Sequence, residues 1–254
     1  MIPVALTIAG SDPSGGAGIQ ADLKTFHQLG VYGMSVLTLV TAQNTQRVDA
    51  VEMLSARLVR AQIDAVLEDI PPQAAKTGAL GNEEIIRTVA ERAATFAFPL
   101  VVDPVMISKH GAPLLTAEAH SHLAGLLLPR SFLVTPNLEE AAVLAGIPVH
   151  DVPSMEEAAH RIARLGARAV LVKGGHLPTE AVDVLLFKGE IRHYASSKID
   201  TKHTHGTGCT YSAAITAELA KGRDLPEAVR IAKKFITRAI ESHPSLGKGF
   251  GPVN

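Results

Sequence analysis

The chain has 254 residues, 46% of them hydrophobic, with 24 Lys plus Arg against 25 Asp plus Glu and a single cysteine. Near-zero net charge without long runs of like charge argues against a bulk nucleic-acid surface. One cysteine makes no internal disulfide and no apolar run approaches 18 residues, so a membrane span is not expected and a cytoplasmic protein is.

Short runs rich in Val, Ile and Leu alternate with longer stretches of helical pattern. Strands are predicted at 4–9 (VALTIA), 34–40 (MSVLTLV), 100–104 (LVVDP), 132–136 (FLVTP) and 169–173 (AVLVK), with a weaker candidate at 73–79 (QAAKTGA). Helices are predicted near 17–29, 55–69, 82–96, 116–127, 137–145 and 154–165, and Gly30, Gly146 and Gly166 fall where helix C-caps belong. The apolar runs do not alternate with polar residues, as expected of strands covered on both faces. This order implies a doubly wound α/β fold with a mostly parallel sheet between helix layers. VDVLLF (182–187) and EIRHYA (190–195) are separated only by Lys188 and Gly189, enough for an antiparallel hairpin but not a crossover helix. Two helices follow. The last opens with Asp224, Pro226 and Glu227, a start resembling a capping box, and carries an apolar stripe from Val229 to Ile240. No linker, repeat or low-complexity stretch divides residues 1–254, which are read as one domain.

Doubly wound sheets bind ligands beyond the carboxyl ends of their strands. The residues predicted there are polar or glycine: GSDPSGGAG (10–18), TAQN (41–44), the 104–115 loop, Pro136-Asn137 with Glu140 one turn on, and Gly174-Gly175-His176. Any one loop fits ordinary strand termination; five on one edge indicate a ligand site.

Residues 202–214, KHTHGTGCTYSAA, place Gly206, Thr207 and Gly208 ahead of a helix that starts near Cys209. A helix start offers unpaired N–H groups and a positive dipole end, and glycines let an anion approach the backbone, so this is a phosphate cradle in chemical terms. No Lys-Ser or Lys-Thr follows as in a P-loop. Cys209 is either a small buried hydrophobe or a thiol acidified by the helix start. The H-x-H-x3-C run (203–209) also admits zinc, though no second cysteine supports it.

These blocks resemble a known family. GTGC before a C-terminal helix is similar to the second signature of the ribokinase-like kinases. AGSDPSGGAGIQADLKTF (9–26), TAQNT (41–45), KTGAL (76–80), VVDPVM (101–106), TPNLEEAAVL (135–144), VLVKGGH (170–176) and THGTGCTYSAA (204–214) together resemble hydroxymethylpyrimidine/phosphomethylpyrimidine kinases. The resemblance spans nearly the whole chain. It implies two successive phosphoryl transfers from ATP to an aminopyrimidine, in thiamine biosynthesis. Cysteine stands where most of the superfamily has Asp. No room exists between the first two strands for a strand-built lid, so loops, among them 106–115, are expected to cover the site, and a homodimer partner is compatible.

The resemblance also suggests roles. The 206–209 segment would hold the transferring phosphate, with Cys209 as the base or orienting group. Asp103, Asn137 and Glu140 would orient Mg2+, mostly through water, and Lys173 would neutralise ATP phosphate. Gln43 resembles the family's pyrimidine reader, since a primary amide complements an amino group beside a ring nitrogen. Asp22 is either a second acceptor for that amino group or a solvated helix acid. A pyridoxal kinase of the same fold and a non-catalytic pyrimidine-binding protein are the alternatives.

Overall fold

The computed structural model describes residues 2–253 except 108–110, 112, 113, 176, 178 and 179. His176 and half of the 106–115 loop expected to cover the site therefore lie outside the described residues. One sheet of nine strands runs through the rest: β1 (Val4–Ser11), β2 (Tyr32–Gln43), β3 (Val48–Met53), β4 (Ala74–Thr77), β5 (Leu100–Val102), β6 (Leu133–Val134), β7 (Ala169–Val172), β8 (Glu180–Phe187) and β9 (Glu190–Ser197). Their spatial order is β3-β2-β1-β4-β5-β6-β7-β8-β9. β2, β1, β4, β5, β6 and β7 pair in parallel, and β8 and β9 close one edge as the predicted antiparallel hairpin. The doubly wound α/β reading of the sequence is the fold found.

Helices cover both faces. On one lie α2 (Ala56–Asp69), α3 (Glu83–Ala93), α4 (Ala117–His122), α5 (Leu138–Ala145) and α6 (Val152–Ala163). On the other lie α1 (Gly18–Gln28), α7 (Thr207–Ala220) and α8 (Leu225–Glu241). α7 is buried at every position from Thr210 to Ala220. It rests on the sheet between α1 and α8, and Ala213, Ala214 and Ala217 let its neighbours come close. A helix apolar on all sides has this central place as its stable solution. Its one buried acid, Glu218, is answered by Lys221 at 2.7 Å and Arg223 at 2.6 Å.

Two elements depart from the sequence reading, and one weak candidate proves to be an inner strand. β3 pairs antiparallel with the outer half of β2, from Leu39↔Met53 to Gln43↔Val48. Its residues, VDAVEM, are half-buried or exposed, so it lacks the apolar run that marks an inner strand. The weak candidate at 73–79 is β4, a fully buried strand between β1 and β5; a lysine in its centre obscured the pattern. The helix expected over 116–127 ends at His122 and continues as a π-helical and a 3-10 turn to Arg130, closing at Pro129, which has no N–H to give.

A buried polar knot ties the hairpin edge to the helices. Asp183 on β8 accepts hydrogen bonds from the Gly174 amide (2.9 Å), the Tyr211 hydroxyl (2.9 Å) and the Lys233 ammonium (2.7 Å). It thereby fixes the turn after Lys173 to both α7 and α8.

Candidate active site

A cavity of about 750 Å³ opens at the carboxyl edge of the sheet. Its wall takes residues from the outer end of β2, from the loops after β1, β5, β6 and β7 and from the start of α7. Gln43, Asp103, Asn137, Glu140, Lys173 and the 206–209 segment all line it, so most of the residues singled out in the sequence converge on one space.

Two glycine loops meet at its centre. Gly206 is left-handed (φ 79°), and a Cβ there would overlap the carbonyl oxygen of Gly16. Gly208 faces a charge pair: a Cβ there would stand 3.3 Å from Lys173 Nζ and 3.7 Å from Asp103 Oδ2. Only glycine leaves that approach open. No side chain caps the start of α7.

The 12–17 loop is folded around one carboxylate. Asp12 accepts from the amides of Ser14 (2.8 Å), Gly16 (3.2 Å) and Ala17 (2.9 Å) and from the Ser14 hydroxyl (2.7 Å). His205 Nε2 lies 2.8 Å from its other face. Burial pushes the Asp12 carboxyl up, but the hydrogen bonds from His205 and Ser14 outweigh it and bring the pKa down to about 2. Gln43, the last residue of β2, has its amide nitrogen 3.4 Å from His205 Nε2. Residues 249–253 brace this corner. His205 N donates to Gly251 O (3.0 Å), Val253 N to His205 O (3.3 Å), and Gly249 N to Thr45 Oγ1 (3.2 Å).

On the opposite wall, Asp103 Oδ1 accepts from Lys173 Nζ (2.8 Å) and Thr135 Oγ1 (3.1 Å), and Oδ2 from Ser212 Oγ (3.2 Å). Burial works against its ionisation, yet Lys173 and Lys76 hold it below the usual carboxylate range. Burial likewise works against the Lys173 charge, and Asp103 and Glu140 more than restore it. Asn137 is the N-cap of α5 rather than its first turn. Its side-chain oxygen takes the Glu140 amide (2.9 Å) while Glu140 Oε2 takes the Asn137 amide (2.9 Å), a complete capping box.

Comparison with known proteins decides the family. A sequence model of the phosphomethylpyrimidine kinase family matches residues 12–254. The chain belongs to that family. It is 47% identical over 253 residues to a Bacillus subtilis hydroxymethylpyrimidine/phosphomethylpyrimidine kinase, covering 98% of this chain and 93% of that one. A phosphomethylpyrimidine kinase from Clostridium difficile superimposes with a TM-score of 0.84 at 48% identity, covering 94% of this chain and 99% of its own. An ADP complex of Bacillus subtilis pyridoxal kinase superimposes at 0.93 with 42% identity, covering 100% and 97%.

Against the expectations for a member of the phosphomethylpyrimidine kinase family, two residues need correction. Asp22 does not reach the cavity. It is fully buried on the sheet side of α1, where Lys76 Nζ lies 2.9 Å from both its oxygens and the Thr7 hydroxyl donates at 2.6 Å. Helical periodicity turned it inward, away from any pyrimidine and from solvent. Cys209 is half-buried and lines the cavity, but its thiol is not acidified. Burial pushes its pKa up to about 11, and the Lys76 ammonium and Gly18 amide offset this only in part. The histidines of the H-x-H-x3-C run also part company: His203 stacks on His243 at 4.3 Å while His205 turns to Asp12. Lys76 carried no role in the sequence reading, and His205 only that of a member of the run that admits zinc. A histidine beside a glycine cradle and a lysine inside a buried strand were the available signals.

Glu140 supplies a pH test. Burial, then the nearby Asp103 carboxylate, raise its pKa from 4.5 to about 7, against the pull of Lys173. The fold thus favours the protonated acid. Its contribution to stability is complete below about pH 4.5 and is lost as pH rises through about 7. Glu140→Gln, fixed in the neutral form, should lose less stability than the parent across that window, by about 3 kcal/mol at most. Denaturant unfolding at a series of pH values measures it; parallel curves for the two proteins would return Glu140 to ordinary carboxylate behaviour.

Proposed function

We infer that this protein is a hydroxymethylpyrimidine/phosphomethylpyrimidine kinase, which uses ATP to convert 4-amino-5-hydroxymethyl-2-methylpyrimidine to its monophosphate and then to the diphosphate. This serves thiamine diphosphate biosynthesis. One observation carries the reading: a helix start with room only for glycine at 206 and 208, and with Lys173 behind it, shares a cavity with the Gln43 amide. Phosphoryl transfer asks for positioning and charge stabilisation, and such a cradle offers both to a phosphoryl group. The first-turn amides of α7 hold the transferring group, and Lys173 neutralises the nucleotide phosphates. Gln43 reads the aminopyrimidine edge, with His205 and Asp12 bracing its side of the cavity.

Mg2+ belongs to this reading. Both Asp103 oxygens are already engaged by Lys173, Thr135 and Ser212, which leaves Glu140, with Glu139 beside it, as the carboxyls on that wall for the ion. That donor set suits an ion held chiefly by phosphates and water, where it neutralises phosphate charge. We further assign the activity to residues 1–254 as one kinase domain, working as a cytoplasmic homodimer. No described helix is long and apolar enough to cross a membrane.

Mass spectrometry of products from hydroxymethylpyrimidine and Mg-ATP should find both mono- and diphosphate. The similar pyridoxal kinase makes pyridoxal the competing acceptor; a larger kcat/KM for pyridoxal in parallel assays would overturn the assignment.

Gln43→Ala should raise the pyrimidine KM with little change for ATP, at a cost of about 1–3 kcal/mol. An equal rise in both Michaelis constants would make Gln43 a structural residue of the β2–β3 turn.

Cys209 is a thiol near pH 7, so we assign it the orienting of the acceptor oxygen rather than the part of a standing thiolate base. Cys209→Ala should lower turnover by less than the roughly 10²–10⁴-fold that a full general base supplies, and leave pyrimidine affinity nearly unchanged. Near-parental turnover would leave catalysis to the amides of α7 and the bound cations.

A further inference from the structure

The Asp183 knot reaches the site from behind. β7 ends at Val172, and the chain beyond it carries Lys173 into the cavity wall. Two bonds pin that backbone as it leaves the sheet. The Lys173 amide donates to Pro136 O (2.8 Å), and the Gly174 amide donates to Asp183 Oδ1 (2.9 Å). A Cβ at Gly174 would overlap Val182 O, so the turn is pressed onto β8. Asp183 Oδ2 accepts from Tyr211, which stands one helical turn past Thr207, the first residue of α7. The tip of Lys173 is tied to the same helix by a second route. Its Nζ donates to Asp103 Oδ1 (2.8 Å), and Asp103 Oδ2 accepts from Ser212 (3.2 Å). A closed circuit results, from Lys173 through Asp103 to Ser212, along α7 to Tyr211, and back through Asp183 to Gly174.

We propose, resting on the kinase reading, that Asp183 is a positioning residue for phosphoryl transfer: through Gly174 and Tyr211 it sets where the Lys173 ammonium stands against the amides that open α7. A lysine stem is long and flexible, and a site that stabilises developing charge needs its ammonium placed beforehand. The allowance is narrow, since a Cβ at Gly208 would stand 3.3 Å from Lys173 Nζ. Asp103 holds the tip of that side chain and Asp183 its root. The charge of Asp183 is answered inside the knot by Lys233 at 2.7 Å, which also donates to Ala181 O (2.8 Å). The carboxylate thus has its counter-charge before any ligand arrives and acts through its neighbours. A buried ion pair adds little stability over apolar side chains of equal volume, so placement is the better reason for this one.

Tyr211→Phe cuts the Asp183 link to α7 and leaves the aromatic ring and the other Asp183 bonds in place. Ser212→Ala cuts the Asp103 link. Tyr194→Phe is the control, because its hydroxyl ties the same hairpin to α8 through Pro226 O (3.1 Å) and is no part of the circuit. The readout is the preference of the full chain for binding Mg-ATP over adenosine, with steady-state kinetics beside it. Tyr211→Phe should cut that preference and kcat by about tenfold each and leave the pyrimidine KM at the parental value. Ser212→Ala should do likewise, and the double variant should lose more than the product of the two, since either link holds the lysine while the other is cut. Asp183→Asn, which keeps an oxygen for Gly174, should match or exceed Tyr211→Phe; if it does not fold, the hydroxyl variants decide. Tyr194→Phe should lose stability in denaturant and keep the preference. A parent that binds ATP no better than adenosine refutes the phosphate role of Lys173, and the proposal with it. A parent with the preference, and Tyr211→Phe that keeps it while losing only stability, overturns the role of Asp183 and leaves the kinase reading standing. An equal loss of preference in Tyr194→Phe also overturns it, by reducing the effect to a loosened hairpin.

Discussion

The site depends on one close approach of backbone to backbone. At Gly206 the chain turns left-handed against the carbonyl of Gly16, leaving no room for a side chain. This seam fixes the start of α7 to the loop between β1 and α1. Both loops sit on adjacent parts of one sheet, so the distance between the glycine-lined start of α7 and the Gln43 wall of the cavity is set by the fold. The burial of α7 on every side extends that rigidity down the helix.

Charge is arranged in tiers behind the cradle. Asp103 with Lys173 forms the wall, Lys76 with Asp22 the floor, and Asp12 with His205 the far corner. Every carboxylate of these pairs is buried, and that of the wall and that of the corner are tied down by further hydrogen bonds as well. Such groups cost little reorganisation when negative charge arrives, which is how preorganised sites stabilise it. Asp22 and Glu140 are the exceptions: burial holds both above the usual carboxylate range, and at Glu140 the Asp103 carboxylate adds to it. An arriving cation is what would release the proton of Glu140.

Much of this was legible in the sequence, and the misses share a cause. VALTIA and AVLVK announce inner strands because both faces of the sheet are covered. VDAVEM does not, because an edge strand needs no apolar run. Glycines at 206 and 208 could be read as a cradle because anion binding needs bare backbone at a helix start. The order of strands along the chain located the carboxyl edge of the sheet, and therefore Gln43, Lys173 and Glu140. It carried no information about depth. Asp22 is on the correct helix and the correct side of the sheet, but one layer below the cavity. The same blindness hid Lys76, whose partner is 54 positions away. The expected acidity of Cys209 failed similarly: a helix start favours the anion, but burial opposes it more strongly.

The bracing of His205 has a consequence for the order of folding. The backbone of residues 249–253 is stitched to His205, and Gly249 reaches Thr45 across 204 positions of chain. Contacts between such distant segments pay the loop-closure cost late, after local and near-neighbour structure has formed. The parallel βα units can therefore assemble before the last residues of the chain close over the Gln43 side of the cavity. The seam of Gly206 on Gly16 joins segments almost as far apart and waits as long, so both sides of the cavity are completed together, as the last act of folding.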